Sequence, residues 1–336
     1  MTSDTKTYVR IRKSEKKENT QTIFVGEDKK SVRLQIKRDP QHGLINNQTT
    51  AWEFTVDKVF ENDSQKTVFN EVSSNMIPMA VKGISGTLLC YGQTGAGKTF
   101  TMSGVSQRYP DRGIIPRSLA QLFEEIDKMP TYAVLVRLSY IEIYNEQIID
   151  LFSPATNAVG SKQVSQLVIS DAEDEVTVKG LACPLVNNLE DALCVLFEGE
   201  LNRTVAAHAL NRISSRAHTI FTIYLDVRSI ADTSGCVKSS RLNYVDLAGS
   251  ERVRKTQSTG QILKEANYIN RSLTFLEQTV LALSDPCREH IPYRQSKLTH
   301  YLKNSIGGRY QTILIANVWD EDRFIEETVN AFAQIF

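Results

Sequence analysis

Cysteine pairs, long apolar runs and unbalanced charge are what this sequence lacks. Its five cysteines in 336 residues include no CxxC pair, and no histidine stands beside them at metal-ligand spacing. This pattern excludes a small disulfide-stapled scaffold and favours a reduced, cytosolic protein. No uncharged apolar run approaches the roughly 18 residues of a membrane span, and the polar amino terminus has no signal-peptide core. The expectation is a soluble, intracellular protein.

The charge is equally unbiased, because 39 Lys plus Arg balance 39 Asp plus Glu for a formal net charge of zero. A neutral chain argues against a protein that coats nucleic acid over its whole surface, although a local basic patch stays compatible with it. A hydrophobic fraction of 41% excludes intrinsic disorder. At about 150 residues per domain, the length fits two domains or one large α/β domain.

Strand-like and helix-like runs alternate along the chain, which predicts an α/β layer fold. The predicted strands span residues 8–12, 86–91, 133–144, 218–228, 239–247 and 311–318. Several of them alternate in polarity, so the sheet is predicted to be mixed. The predicted helices span residues 64–79, 116–128, 189–208, 261–284, 294–304 and 325–336. The polar segments 153–166, 229–235 and 251–260 are too short to separate two domains, which favours one domain with long loops.

A glycine-rich loop is the strongest motif. Residues 92–99 read Gly-Gln-Thr-Gly-Ala-Gly-Lys-Thr, which matches GxxxxGK[ST], and they follow the strand-like run 86–91. Gly92, Gly95 and Gly97 allow the backbone to curl so that successive N–H groups point at phosphate oxygens.

Two side chains of this loop would complete a nucleotide site. Lys98 would reach the β- and γ-phosphates, and Thr99 would offer its hydroxyl to Mg²⁺. The alternative is a glycine-rich turn that binds nothing. Chance matches to the four fixed positions arise in roughly one chain per hundred of this length. The preceding strand and following helix lower that frequency further, so nucleotide binding is favoured.

Two further blocks follow in the order that phosphate sensing needs. Residues 211–218 read NRISSRAH before one predicted strand, and residues 246–251 read DLAGSE at the end of the next. An aspartate at a strand end can hold a Mg²⁺-bound water, and a glycine three residues later can bring its N–H to the γ-phosphate. Taken alone, the Ser-Ser-Arg loop is weak evidence, because a capping turn explains it as well.

Together the three blocks resemble the kinesin motor domain, whose pattern is GQTGxGKT, then NxxSSRSH, then DLAGSE. The resemblance covers nearly the whole chain, including KEANYINRSL at 264–273 and HIPYRQSKLT at 290–299. Myosins end their second switch in Gly-Phe-Glu, where this chain has Gly-Ser-Glu, and the Asn-Lys-x-Asp segment of guanine specificity is missing. The resemblance implies a P-loop NTPase fold of the α/β class, with a central, mostly mixed β-sheet flanked by helices on both faces and one motor domain over residues 1–336.

The resemblance also implies ATP or ADP and Mg²⁺ as ligands. It assigns Thr99 and Ser214 to the metal directly and Asp246 through water. The nucleotide-binding residues that it implies are Arg10, Arg12, Gly92, Gln93, Thr94, Gly95, Ala96, Gly97, Lys98, Thr99, Phe100, Asn211, Ser214 and Ser215.

The catalytic roles that the resemblance implies fall on the loop lysine and the two switches. Lys98 neutralises phosphate charge, while Ser215 and the amide of Gly249 bond the γ-phosphate. Arg216 and Glu251 form an ion pair that closes the switches around ATP, and Glu251 accepts the proton of the attacking water through a second water. This assignment makes chemical sense, because phosphoryl transfer depends on positioning and charge stabilisation.

Two positions depart from the family pattern. Lys13 stands where the family has proline after Arg-x-Arg, so the packing of that proline under the adenine is lost. Ala217 stands where the first switch has a second serine, so a hydrogen bond within that loop is lost. Among aromatic residues, Phe100 could line the adenine pocket or simply pack, and Trp319 is predicted to pack against the sheet.

The carboxyl-terminal third carries a candidate track-binding face. Between residues 288 and 309 five basic residues stand against the single acid Glu289, whereas acids such as Asp171 are expected to restore neutrality elsewhere. An ordinary solvated helix face would show the same charge pattern. The resemblance implies microtubule binding here and on the helix near 264–284, and tubulin is acidic, so association would weaken with salt. The predicted contacts are Lys264, Arg271, Arg294, Lys297 and Lys303.

Three functions stay open on the sequence: an ATP-driven microtubule motor, a module that grips microtubules without productive hydrolysis, and a soluble P-loop enzyme such as a small-molecule kinase. The motor is favoured, since the kinesin-like segments would otherwise lack a purpose. Segments 45–52, 197–203 and 273–278 resemble the axonemal, ninth kinesin subfamily, which implies a cytoskeletal and flagellar location. The chain ends where a kinesin begins its neck linker, so a monomer is expected, with any coiled coil lying outside it.

Overall fold

The computed structural model describes residues 5–13, 22–36, 50–106, 108–153, 167–172, 175–209, 216–232, 235–251 and 261–335, without the side chains of 172, 206–209, 261–270, 323, 334 and 335. Most of the predicted loops 153–166 and 251–260 lie outside these residues, as do Asn211, Ser214 and Ser215 of the first switch. Among the described residues, none of the helices combines the length and the apolar composition needed to cross a bilayer.

Strands and helices alternate as the sequence predicts. The strands are β1 (Lys6–Arg12), β2 (Ile23–Val25), β3 (Ser31–Gln35), β4 (Ala51–Thr55), β5 (Lys58–Glu61), β6 (Gly86–Tyr91), β7 (Tyr132–Tyr144), β8 (Gln147–Asp150), β9 (Val168–Ala172), β10 (Glu175–Lys179), β11 (Leu185–Val186), β12 (His218–Ser229), β13 (Val237–Asp246) and β14 (Gln311–Trp319). The helices are α1 (Gln65–Val72), α2 (Met76–Val81), α3 (Lys98–Met102), α4 (Ile114–Asp127), α5 (Leu189–Ala209), α6 (Gln261–Ser284), α7 (Lys297–Tyr301), α8 (Lys303–Ile306) and α9 (Ile325–Ile335).

One large sheet organises the fold, in the strand order β11-β7-β12-β13-β6-β14-β1-β5, with β8 paired to β7. The strands from β13 to β5 are parallel neighbours, whereas β12 runs antiparallel to both β7 and β13. The predicted mixed sheet is therefore confirmed. Two small antiparallel sheets, β2-β3-β4 and β9-β10, were not predicted.

Helices cover both faces of the large sheet. Successive side chains of a strand point to opposite faces, and β6 shows the consequence directly. Leu88 and Cys90 belong to a core cluster with α1, α2, α4 and α5, while Leu89 and Tyr91 belong to a second cluster with α6 and α7. All six residues of β6 are buried, as expected of a central parallel strand.

Two predicted helices are broken in the structure. The run 64–79 splits into α1 and α2: Ser73 is the C-cap of α1, and the next N–H, that of Ser74, bonds back five residues to Phe69 O at 3.0 Å in place of the regular helical partner. The run 294–304 becomes a 3₁₀ turn at Tyr293–Gln295 followed by α7 and α8. The Ser296 side chain accepts from Thr299 N–H at 3.1 Å, which makes Ser296 an N-cap and starts α7 one residue later.

In the sequence of α6, Leu273, Leu276, Val280 and Leu283 recur at spacings of three and four, which predicts one apolar helix face. In the structure this face is only partly buried. Leu273 packs into the core at 7% exposure, but Val280 and Leu283 remain 43% and 36% exposed. Both line a cavity of about 350 Å³ between this helix and the sheet residues Tyr91 and Leu314. The helical spacing therefore identified an apolar face whose second half does not enter the described core.

His218, the first residue of β12, lies in the core at 3% exposure. Its Nδ1 accepts a hydrogen bond from Ala248 N–H at 3.0 Å, and its Nε2 lies 2.7 Å from the hydroxyl of Ser272 on α6. Because Nδ1 accepts, the neutral ring carries its proton on Nε2 and donates it to Ser272. Burial lowers the pKa of His218 to about 3, and the positive charge of Lys98 acts in the same direction.

We expect this buried neutral histidine to make stability depend on pH between about 6.5 and 3. In that window the unfolded chain binds a proton at His218 that the folded chain does not, so the free energy of unfolding falls as the pH is lowered. One such group contributes a slope of about 1.4 kcal/mol per pH unit. Urea unfolding between pH 7 and pH 4 measures this effect in the wild type and in His218→Gln. The free energy of unfolding should depend less steeply on pH in the variant. Parallel curves would contradict this assignment.

Candidate functional site

The strand register brings the three sequence blocks to one edge of the sheet. The phosphate loop leaves the carboxyl end of β6, and Asp246 at the end of β13 pairs with Cys90 beside it. The first residues of β12, which follow the first switch in sequence, pair with the same end of β13 through Thr219 and Asp246. Carboxyl ends of parallel strands are where open α/β sheets bind ligands.

The conformation of the phosphate loop requires glycine at its first position. Gly92 has φ +140°, and a Cβ there would collide with the carbonyl oxygen of Asn317 on β14. Gly97 has φ +100° and forms the N-cap from which α3 begins. A side chain is strongly disfavoured in such backbone geometry, which explains the glycine pattern found in the sequence.

Lys98 lies inside the curl of the loop. Its side chain is buried, and Nζ donates to Gly92 O at 2.7 Å and Gln93 O at 2.8 Å. Burial lowers the pKa of Lys98, while the carboxylates of Asp246 and Glu251 oppose that effect. The ammonium group is thus held beside the backbone that the sequence predicts to cradle phosphates.

Glu251 of the DLAGSE segment reaches directly into this loop. Its carboxylate accepts from Thr94 N–H at 2.8 Å and from the Thr94 hydroxyl at 2.5 Å. A backbone amide of the loop therefore already holds an anion, which fits the predicted phosphate chemistry. Gly249 lies so close that a Cβ would collide with both Thr94 Oγ1 and the Glu251 carboxylate. The predicted ion pair between Arg216 and Glu251 stays a prediction.

Thr99 and Asp246 meet at the bottom of the same site. The Thr99 hydroxyl donates to Asp246 Oδ2 at 2.6 Å. The other carboxylate oxygen, Oδ1, is buried and has no hydrogen-bond partner within the part of the chain that the structure describes. Hydroxyl and carboxylate oxygens are the ligands that Mg²⁺ and its bound waters prefer. The residues present therefore fit the predicted metal site, of which Ser214 lies outside the described residues.

Arg203 is a site residue that the sequence analysis missed. It is 8% exposed, lies 3.9 Å from Asp246 and lines a cavity of about 290 Å³ with the phosphate loop. Burial disfavours its charge, but Tyr140, Asp246 and Glu200 outweigh that effect and raise the pKa of its guanidinium. Glu200 and Arg203 stand three residues apart on α5, and this pair of opposite charges was the feature of the sequence that could have indicated a buried arginine.

Arg10, Arg12 and Phe100, which the resemblance assigns to the nucleotide, line a second cavity of about 470 Å³. The guanidinium of Arg10 donates to Gln65 Oε1 and Thr101 Oγ1, both at 2.8 Å, and lies 5.3 Å from the Phe100 ring centroid. Phe100 itself is 40% exposed, so it forms a wall of the cavity and does not belong to the core.

Trp319 lies beside the phosphate loop, which the sequence analysis did not predict. The Arg12 guanidinium stacks over its ring at 4.4 Å and donates to Gly95 O at 2.6 Å. A Cβ on Gly95 would lie 3.4 Å from the Trp319 ring, so the loop and the indole are in contact. Lys13, which stands where proline was expected, approaches Glu61 at 3.9 Å.

The predicted track-binding residues lie on a different surface, where Asp171 on β9 gathers three of the basic side chains. Its Oδ2 lies 2.7 Å from Arg294, 3.3 Å from His300 and 3.7 Å from Lys303. The hydrogen bond from Arg294, followed by the effects of His300 and Lys303, lowers the pKa of Asp171. The expectation that Asp171 lies away from this basic stretch was wrong.

The other predicted contacts have different surroundings. Lys297 donates its backbone N–H to Glu146 Oε2 at 2.7 Å, and its ammonium group has no carboxylate partner among the described residues. Arg271 is exposed on α6, with its guanidinium 5.3 Å from the Phe275 ring. The side chain of Lys264 lies outside the described residues.

Comparisons with known proteins agree with this architecture. The family model for the kinesin motor domain matches residues 9–334. The kinesin-like protein KIF9 of Mus musculus is 45% identical over 324 residues, which are 96% of this chain and 41% of that protein. The kinesin-like protein KLP1 of Chlamydomonas reinhardtii is 43% identical over 310 residues, which are 92% of this chain and 39% of that protein. The chain thus spans about two fifths of the length of these relatives.

The fold also resembles that of a kinesin. A solved structure of a fast kinesin superimposes with a TM-score of 0.85 at 34% sequence identity, covering 99% of this chain and 90% of that one. The sequence match, the superposition and the meeting of the phosphate loop with the DLAGSE segment point the same way. The chain belongs to the kinesin motor domain family, and within it is similar to KIF9.

Proposed function

We propose that this chain is the motor domain of an ATP-driven microtubule motor, in which Mg-ATP hydrolysis is coupled through two switch loops to microtubule binding and force generation. The observation that carries this proposal is the contact of Glu251 with Thr94 of the phosphate loop. This contact makes the second switch respond to any anion that the loop binds. Residues 1–336 act here as one domain, monomeric by itself.

ATP would lie along the two neighbouring cavities. The base fits the cavity beside Arg10, Arg12 and Phe100, and the phosphates fit the cavity beside Lys98. There the loop amides donate to phosphate oxygens and the lysine neutralises their charge. Asn211 and Ser215 of the first switch would complete the phosphate contacts, and the stacked Arg12 would hold Gly95 against them.

Thr99 and Asp246, joined by Ser214, would hold Mg²⁺. The unpartnered Oδ1 of Asp246 offers an acceptor for a metal-bound water. When bound, the ion stabilises the charge that develops on the β- and γ-phosphate oxygens. The Thr99 hydroxyl would turn from Asp246 towards the metal.

The γ-phosphate and Glu251 compete for one donor, since both are anions that bind the Thr94 N–H. ATP binding would therefore release Glu251 from the loop. Freed from Thr94, the carboxylate would pair with Arg216 and accept, through water, the proton of the attacking water molecule. Gly249 would then present its amide to the γ-phosphate.

The track-binding role rests on the family and on the basic surface. The fast kinesin is described by its ATPase mechanism and its interactions with microtubules, and we extend both to this chain. The contacts would come from α6, the 3₁₀ turn Tyr293–Gln295, α7 and α8. The residues that would face acidic tubulin are Lys264, Arg271, Arg294, Lys297 and Lys303. The resemblance to the axonemal, ninth kinesin subfamily supports a cytoskeletal location, in a cilium or flagellum, and the 45% identity to KIF9 agrees with that subfamily.

The test of this function is the ATPase rate with and without microtubules. We expect strong stimulation by microtubules, because track binding and the nucleotide site are coupled through the second switch. Microtubule binding without stimulation would favour a non-hydrolysing gripping module. A rate that microtubules leave unchanged, with no binding, would contradict the motor and favour a soluble P-loop enzyme.

Glu251→Gln should separate nucleotide binding from hydrolysis. The amide keeps the shape of the side chain but no longer competes as an anion or accepts a proton, so ATP affinity should stay equal or rise. Hydrolysis should fall by about 10²- to 10⁴-fold, the range typical of losing a general base. Equilibrium binding of a fluorescent ATP analogue and steady-state phosphate release measure the two effects.

Glu289→Gln is the matched control, since it removes the same charge from an exposed residue outside the site. It should leave both binding and hydrolysis unchanged. Near-normal turnover of Glu251→Gln would remove this residue from the chemistry.

Replacing Arg294 and Lys297 by alanine should raise the microtubule concentration needed for half-maximal ATPase activity by about 3- to 10-fold and flatten its salt dependence. The physical reason is the loss of two cations from a face that meets an acidic polymer. Asp171→Asn changes the charge of the same surface in the opposite direction, so it should steepen the salt dependence. A titration from low to moderate salt compares all three proteins, and an unchanged salt response would place the contact elsewhere.

A further inference from the structure

The DLAGSE segment is fastened to its surroundings by backbone N–H groups. Leu247 N–H donates to Cys90 O at 3.2 Å and Ser250 N–H donates to Gly92 O at 3.2 Å, so both flanks bind the strand and loop that hold phosphate. Between them, Ala248 N–H donates to Nδ1 of His218 at 3.0 Å. The residue next to the γ-phosphate sensor Gly249 therefore touches the histidine.

The other side of the His218 ring holds the helix that faces the track. Nε2 lies 2.7 Å from the hydroxyl of Ser272, near the middle of α6. The covalent route from Gly249 to this helix passes through residues 252–260, whereas the route through the imidazole consists of two hydrogen bonds. The histidine thus joins β12, the second switch and α6 at one point.

Burial makes these two bonds depend on each other. His218, Ala248 and Ser272 are only 3%, 1% and 4% exposed, so water does not readily replace a partner that moves away. An unpaired buried group costs its full desolvation. The tautomer is also fixed, because an Nδ1 that accepts from Ala248 leaves only Nε2 to donate to Ser272. A shift of the switch backbone must therefore move the ring, and with it α6, or break a buried hydrogen bond.

We propose that His218 is a positioning residue that transmits the state of the second switch to α6 through Ser272. This inference rests on the proposed motor function and assigns a coupling residue within it. His218 is buried and lines neither of the two cavities assigned to the nucleotide. Its role is to keep the switch segment and the track-facing helix in step, so that microtubule binding and nucleotide affinity change together.

Ser272 gives the cleaner test, because its replacement leaves the bond between His218 and Ala248 in place. Ser272→Ala removes the hydroxyl, and Ser272→Cys keeps the volume while replacing oxygen by a weak sulfur acceptor. Ser284→Ala is the matched control, since this serine lies on the same helix, is exposed and donates its hydroxyl to Leu281 O within that helix. All variants are made in the full 336-residue chain.

The readout is the ATPase rate of each variant without and with saturating microtubules. We expect basal rates within about twofold of the wild type and a loss of microtubule stimulation of at least about fivefold in both Ser272 variants, which corresponds to a coupling term of order 1 kcal/mol. Ser284→Ala should match the wild type. The fold by which microtubules change the ADP affinity should shrink in the same two variants, which a purely structural role would not produce.

Three results would overturn the inference. Wild-type stimulation in both Ser272 variants would show that the bond transmits nothing. A defect in Ser272→Ala with normal behaviour of Ser272→Cys would show that packing alone matters. A wild-type chain that microtubules do not stimulate would overturn the proposed function, and the inference with it; the unmodified protein reveals this third case before any variant is compared.

Discussion

The site depends on one interaction, the binding of an anion by the N–H groups of the phosphate loop. Backbone N–H groups that converge on one point are stabilised by negative charge, and in this structure the carboxylate of Glu251 provides it through Thr94. A residue that is 157 positions away in sequence thereby belongs to the loop. In the proposed function, nucleotide binding would exchange one anion for another, and this exchange would move the second switch. Glu251 could then serve both phosphate sensing and catalysis, because it and the γ-phosphate compete for the same donor, Thr94 N–H.

The register of the sheet places the segments that take part in the proposed exchange next to one another. Asp246 pairs with Cys90 and Thr219 pairs with Asp246, so the loop, the second switch and the start of β12 form one edge. The nucleotide site and the basic surface use different helices around one sheet, and α6 reaches the switch through His218. Asp171 adds order to the basic surface by gathering Arg294, His300 and Lys303. The net charge of zero is therefore an average, in a chain that has a local basic surface with Asp171 in its middle.

Local sequence patterns predicted the parts of the site that depend on neighbouring residues. The phosphate loop was readable because its glycines, lysine and threonine follow a strand directly. Long strands such as β6, β7 and β14 were readable from their apolar runs. The surroundings of Trp319 and Asp171 were mispredicted because their partners lie far along the chain, as with the 123 positions between Asp171 and Arg294. Arg203 has a local signal in Glu200, but its approach to Asp246 depends on how α5 lies beside β13. Val280 illustrates a different limit of sequence patterns. Helical spacing predicts that it belongs to an apolar face, but not whether another part of the protein covers that face.

The central claim is that Glu251 and a nucleotide phosphate occupy the same donor in turn. A crystal structure of this chain with a non-hydrolysable ATP analogue tests it most directly, through the distance between the Glu251 carboxylate and Thr94 N. The account predicts that a phosphate oxygen takes the place of the carboxylate and that Glu251 moves out of hydrogen-bond range. Glu251 still bonded to Thr94 N–H beside a bound triphosphate would contradict it.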